Sequence, residues 1–198
     1  LMWGNIEKYL PAESYADDGF KTICTNPCGE IPLSAYDSCR LISVNLKNFV
    51  KNPFTETAFF DFDHFSQVAA SAMRLSDDLV ELEVEKLDNI IKACDTSDEV
   101  ELWENLKAAC VNGRRTGLGT HGLADALACL SLAYDSDEAI EVIDNIYSTF
   151  KVAAYTESVN LAQERGAFPV FNWDKEKDNA YIQSLPKNLQ ELIAKFGR

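Results

Sequence analysis

The apolar residues of the chain fall into two rhythms. Leu41, Ser43 and Asn45 alternate with Ile42, Val44 and Leu46, a period of two that predicts a β-strand. From Asp61 to about Ala93, Phe62, Phe65, Ala69, Ala72, Met73, Leu79, Val80, Leu87, Ile90 and Ile91 recur at helical spacing. The stretch Asp95–Glu99 breaks that pattern. Thr96 followed three residues later by Glu99 is a capping box, which predicts a helix through Ala109. Asp135 with Glu138 offers another, opening a long helix marked by Ile140, Ile143, Tyr147, Phe150, Ala154 and Leu161, and ended by Gly166 and Pro169. A last helix is predicted from about Leu185 to Phe196. There is no internal repeat, low-complexity tract or flexible linker, so the pattern is mostly helix with a few strands.

Composition narrows the class. A length of 198 residues can bury one or two domain cores, and 46% apolar with 25% charged residues is ordinary for a globular protein. A formal charge of −14 argues against a nucleic-acid partner, because gripping phosphates calls for a basic patch. No apolar run approaches the roughly 20 residues that span a bilayer. Six cysteines in such a chain suit a reducing, cytoplasmic setting better than a disulfide framework. Cys94, Cys110 and Cys129 lie on helical patterns and are expected to be buried as small hydrophobes.

Residues 22 to 46 carry the chemistry. Asn26, Cys28 and Glu30 are spaced by two beside Pro27 and Pro32, so an extended segment would turn an amide, a thiol and a carboxylate to one face. Gly29 allows close approach beside the thiol. Cys39 follows eleven residues later, at the mouth of the predicted strand. Three cysteines within sixteen residues have three readings: small buried hydrophobes, a metal site, or thiol chemistry. The metal reading is weak, since Cys24 and Cys28 have no histidine nearby and Pro27 lies between them. A neighbouring carboxylate disfavours a thiolate, which suits a thiol carrying a hydrogen atom better than a papain-like nucleophile.

The run Thr25-Asn26-Pro27-Cys28-Gly29-Glu30, with Ser34-x-Tyr36-Asp37-x-Cys39-x-Leu41-x-Ser43-x-Asn45-Leu46 after it, resembles the catalytic subunit of ribonucleotide reductases. The Asn-Pro-Cys-Gly-Glu form with a second cysteine so near is similar to the class II, adenosylcobalamin (vitamin B12)-dependent enzymes. The resemblance continues through Arg74–Glu83, Gly113–Gly119, Gly122–Asp125 and Glu164–Pro169, in the family's order. It implies an α/β fold in which residues 1–198 are part of a ten-stranded α/β barrel, incomplete at both ends, the piece itself mostly helical. It also implies that a partner cysteine for Cys39 lies upstream and a phosphate-gripping loop downstream.

The same resemblance implies a function: reduction of ribonucleoside di- or triphosphates to deoxyribonucleotides by a thiyl radical, with adenosylcobalamin as cofactor. Cys28 would carry the hydrogen atom, Glu30 would act as base on the 3′-hydroxyl, and Asn26 would hold that hydroxyl. Cys39 would supply a proton and electrons as half of a dithiol. A dithiol or thioredoxin-like reductant, a homodimer of the whole enzyme, and neither membrane nor nucleic acid as partner complete the picture. The alternatives are a class I large subunit, whose radical comes from a partner, and a non-catalytic helical piece of a split gene.

Two further features are read more plainly. Gly117-Leu-Gly-Thr-His-Gly122 matches the dinucleotide fingerprint G-x-G-x-x-G, but Asn112–Thr116 before it is no buried strand, so tight strand-to-helix packing is the expected role. Arg114 and Arg115 read as ion-paired scaffold rather than phosphate ligands. His64 is expected at the surface and His121 in a structural role. Neither belongs to a Glu-x-x-His pair, so the chain is not a carboxylate-bridged di-iron subunit.

Overall fold

The computed structural model describes residues 2–38 and 40–198. Its first elements are α1 (Trp3–Tyr9), a 3-10 helix (Pro11–Asp18), and a small hairpin of β1 (Cys24–Thr25) and β2 (Pro32–Leu33). Then come β3 (Arg40–Asn45), a second 3-10 helix (Leu46–Phe49), and a hairpin of β4 (Val50–Lys51) and β5 (Phe59–Phe60). The helices α2 (Phe62–Ala93) and α3 (Ser97–Gly113) lead to β6 (Thr116–His121). The chain continues through α4 (Leu123–Cys129), α5 (Asp137–Arg165), α6 (Trp173–Glu176), α7 (Ala180–Gln183) and α8 (Lys187–Phe196).

The predicted strand is β3. It pairs in parallel with β6, Arg40 opposite Thr116 and so on to Asn45 opposite His121. A parallel pair needs a long crossover, and α2 and α3 supply it, giving the strand–helix–strand unit of α/β folds. The Gly-x-Gly-x-x-Gly stretch is therefore β6 itself rather than a turn around a phosphate. Gly122, at φ 74°, ends the strand and begins α4. A Cβ there would lie 2.7 Å from Asn45 Oδ1, so only glycine lets α4 start against the end of β3. His121 meets Ser43 across the pair, Nδ1 to Oγ at 2.9 Å.

The helices follow their patterns closely. Asp61 caps α2 by accepting from the His64 amide at 3.0 Å, which leaves His64 exposed. Thr96 and Glu99 form the predicted capping box, and α3 runs on to Gly113, past the predicted end at Ala109. The cap of α5 is Ser136, not Asp135: its hydroxyl accepts from the Ala139 amide at 3.2 Å. Cys110 and Cys129 are buried as expected, but Cys94 is only half-buried because it is the C-cap of α2 rather than part of its apolar face.

Phe65, Ala69 and Ala72 of α2 pack with Phe49, Phe60, Ile146 and Phe150 into the main core beneath the strands. Val80, Leu87 and Cys110 close a second cluster between α2 and α3, and Val159, Ile182, Leu189 and Ile193 a third beneath α5 and α8. Beside these, Glu176 is fully buried and takes the Arg198 guanidinium on both carboxylate oxygens. Tyr155, next to Arg198, has its phenol pushed up from 10 to about 12 by desolvation, and burial raises Tyr15 and Tyr181 in the same direction. A phenol that stays neutral longer in the folded chain than in the unfolded one lends stability that is whole below pH 10 and is lost as pH rises through about 12. Phenolate absorbance should show late-titrating tyrosines with helix content falling in the same window. A single transition of all seven tyrosines at their ordinary value, with the helices intact, would contradict this burial.

Candidate active site

Asn26, Pro27, Cys28 and Gly29 are the residue types of a type I turn: asparagine first, proline second, glycine fourth. The chain reverses there, with the Gly29 amide donating to the Asn26 carbonyl at 3.0 Å and Gly29 at φ 81°. A type I turn followed by a left-handed glycine is a standard closure for a short hairpin. On either side Cys24 pairs with Leu33 and Thr25 with Pro32, and the Asn26 amide donates to the Ile31 carbonyl at 3.1 Å. The predicted extended face is thus corrected to a hairpin loop, because Pro27 and Gly29 together favour reversal over extension.

The loop brings the predicted residues together by another route. Asn26 Nδ2 donates to Glu30 Oε1 across the turn, and Asn26 Oδ1 accepts from the Ile31 amide at 3.0 Å. Asn26 is half-buried, while Glu30 and the unpaired Cys28 thiol are exposed. Cys24 is exposed too, its thiol 3.9 Å from the Leu33 carbonyl. Cys39 lies outside the described residues.

Behind the loop is a layer of charge that motif reading alone did not resolve. Arg115 donates to the Pro32 carbonyl of β2 at 2.7 Å and pairs with Asp37, whose side chain is 1% exposed. Arg40 donates to Glu83 at 2.6 Å, to the Arg115 carbonyl at 2.8 Å and to the Cys110 sulfur. Glu83 also accepts from the Ser38 hydroxyl at 2.7 Å. Arg114 pairs with Asp77 and Glu81, so both arginines are scaffold. The adjacent arginines and Asp37 were visible as charges; the Arg115–Asp37 pair depends on the β3–β6 register and the Arg114 pairs on α3 packing against α2, neither of which spacing encodes.

A cleft of about 1110 Å³ is lined by Asp77, Arg114, Arg115, Tyr147, Phe150, Arg165 and their neighbours. Asn26, Cys28 and Glu30 take no part in it. Cys28 and Glu30 are exposed on the hairpin loop, and neither lines that cleft.

A helix-rich α/β protein with a thiol, a carboxylate and a carboxamide on one loop is the class that this fold and site define. The chain belongs to the ribonucleotide reductase barrel domain family, which it matches over residues 15–197. It is 36% identical over 170 residues to a vitamin B12-dependent ribonucleoside-diphosphate reductase of Mycobacterium tuberculosis (strain ATCC 25618 / H37Rv), covering 86% of this chain and 20% of that protein. A Thermoplasma acidophilum protein of the same description is 33% identical over 155 residues, 77% of this chain and 18% of its own length. The ribonucleoside-diphosphate reductase large subunit of Ostreid herpesvirus 1 is 27% identical over 196 residues, 88% of this chain and 23% of that one. The chain thus spans about a fifth of the length of the curated relatives it matches. Among the described residues no helix is long and apolar enough to cross a membrane.

Proposed function

We propose that the polypeptide carrying this chain reduces ribonucleotides to 2′-deoxyribonucleotides by radical chemistry at Cys28, in the adenosylcobalamin-dependent manner of the relatives named vitamin B12-dependent. The observation that carries this reading is the loop itself: an accessible thiol at the apex of a turn whose two shoulders are Asn26 and Glu30. When bound, adenosylcobalamin supplies a carbon-centred radical that accepts a hydrogen atom. What it requires of this chain is a solvent-facing S–H, and Cys28 meets that requirement.

The chain's own residues do the rest. The Cys28 thiyl takes the 3′-hydrogen of the ribose while Glu30 accepts the 3′-hydroxyl proton, and the Asn26 amide donates to the developing 3′-oxygen. The 2′-hydroxyl leaves as water with a proton from Cys39, and Cys39 with a cysteine elsewhere in the polypeptide gives up two electrons and closes a disulfide. The dithiol's second hydrogen goes to C2′, Glu30 gives its proton back to the 3′-oxygen, and Cys28 returns its hydrogen to C3′. A ribonucleoside diphosphate or triphosphate is the substrate, and a dithiol or thioredoxin-like protein reopens the disulfide. A homodimer working in the reducing cytoplasm fits this redox chemistry.

The herpesvirus large subunit favours a second reading, in which a separate subunit provides the radical. The complete polypeptide, supplied with a ribonucleotide, a dithiol and adenosylcobalamin alone, should form deoxynucleotide. Activity that needs a second protein and ignores the cobalamin would replace the first reading by the second.

A further inference from the structure

The hairpin of β1 and β2 is tied down by polar contacts. Residues 23–33 include no buried side chain, and the two strands pair only with each other among the described residues. At its leading end the Thr22 amide donates to Glu13 at 2.7 Å. At its trailing end stands Arg115, at the root of β6. One guanidinium nitrogen holds the Pro32 carbonyl and another holds the buried Asp37 carboxylate. Asp37 in turn accepts from the Ser34 hydroxyl at 3.1 Å and the Ser38 amide at 2.9 Å. The Arg115 carbonyl receives Arg40, which continues to Glu83 and Ser38.

We propose that Arg115 is a positioning residue, its guanidinium fork fixing the hairpin that carries Asn26, Cys28 and Glu30 relative to β3 and β6. The proposal rests on the reading of that loop as the reactive site. Arginine is needed because the two acceptors lie on different segments and a planar fork serves both at once, whereas a lysine ammonium keeps the charge without the fixed geometry. Arg115 makes no hydrogen bond to the Cys28 thiol or the Glu30 carboxylate, so it acts through placement alone.

In the complete polypeptide, Arg115→Lys and Asp37→Asn should each lower kcat about a hundred-fold, the effect of reacting groups displaced by a fraction of an ångström to an ångström, with KM little changed. Amide exchange across residues 23–33 should quicken on the order of ten-fold, while β3, β6 and α2 keep their protection. Wild-type kcat in Asp37→Asn, or unchanged exchange in the hairpin, would overturn the positioning role. If Arg115→Lys loses protection throughout, Asp37→Asn alone decides, since its remaining oxygen can still accept from the Ser38 amide while an NH2 replaces the oxygen that faces Arg115 and Ser34. Cys28→Ser, run alongside, separates the two ideas: its continued turnover would remove the reactive-loop reading, whereas an inactive Cys28→Ser with fully active Arg115 and Asp37 variants would remove only the role of Arg115.

Discussion

Cys28→Ser in the complete polypeptide should reduce deoxynucleotide formation to background while ribonucleotide binding survives. The substitution is nearly silent structurally. Residue 28 is the third position of a turn, a place serine occupies readily, and its exposed side chain supports no packing. Asn26 still reaches Glu30, and Arg115 still reaches Pro32, so the site keeps its shape. What changes is the bond to hydrogen. A hydroxyl O–H is too strong to exchange its atom readily with a carbon radical, so no relay to the ribose remains. Product assay and equilibrium nucleotide binding on the same preparation check both halves. Product formation by the serine variant above contamination would show that Cys28 carries no hydrogen atom, and loss of binding would show that the thiol holds substrate instead.

How far the sequence reached depended on the range of the interaction concerned. The strand at Arg40–Asn45 and the helices from Phe62, Ser97, Asp137 and Lys187 are set by neighbours within a turn or two, and each was legible from periodicity and caps. The shift from Asp135 to Ser136 at the start of α5 is a choice between adjacent polar residues that either pattern allows. The Asn26–Glu30 loop was legible as a motif but not as a shape. A period of two is meaningful only in extended backbone, and Pro27 with Gly29 at the fourth turn position removes that condition. The Arg115–Asp37 and Arg40–Glu83 contacts join residues 78 and 43 positions apart, so the first needs β3 and β6 to have paired and the second needs α2 to pack on β3. The same holds for β6, where glycines that look like a phosphate cradle become a strand because Arg40–Asn45 offers them a parallel ladder.

Phe65→Ala should be the most destabilising single truncation in the main core, at about 3–5 kcal/mol, the range for emptying a fully buried phenylalanine site. Phe65 is completely buried, and its ring centroid lies 5.0 Å from Phe49, 5.3 Å from Phe60 and 5.7 Å from Phe150. Those partners come from the second 3-10 helix, β5 and α5, so one ring joins three elements to α2. The visible bridges between α2 and α5 are different in kind. Arg74 forks onto Glu164 at 2.7 and 2.8 Å, yet the two side chains are 36% and 52% exposed, and such pairs contribute about 0–1 kcal/mol. Glu164→Ala should therefore cost little, although the bridge is bidentate. The consequence for the site runs along α2. The helix that Phe65 anchors also carries Glu83, which holds Arg40 and Ser38, so loosening the ring cluster loosens the support behind the Asn26–Glu30 loop. Urea denaturation of both variants, followed by circular dichroism, compares the two contributions at constant m-value. If Phe65→Ala lowers stability no more than Glu164→Ala does, α2 is held to α5 by its ion pairs, and the aromatic cluster is not the joint that supports the site.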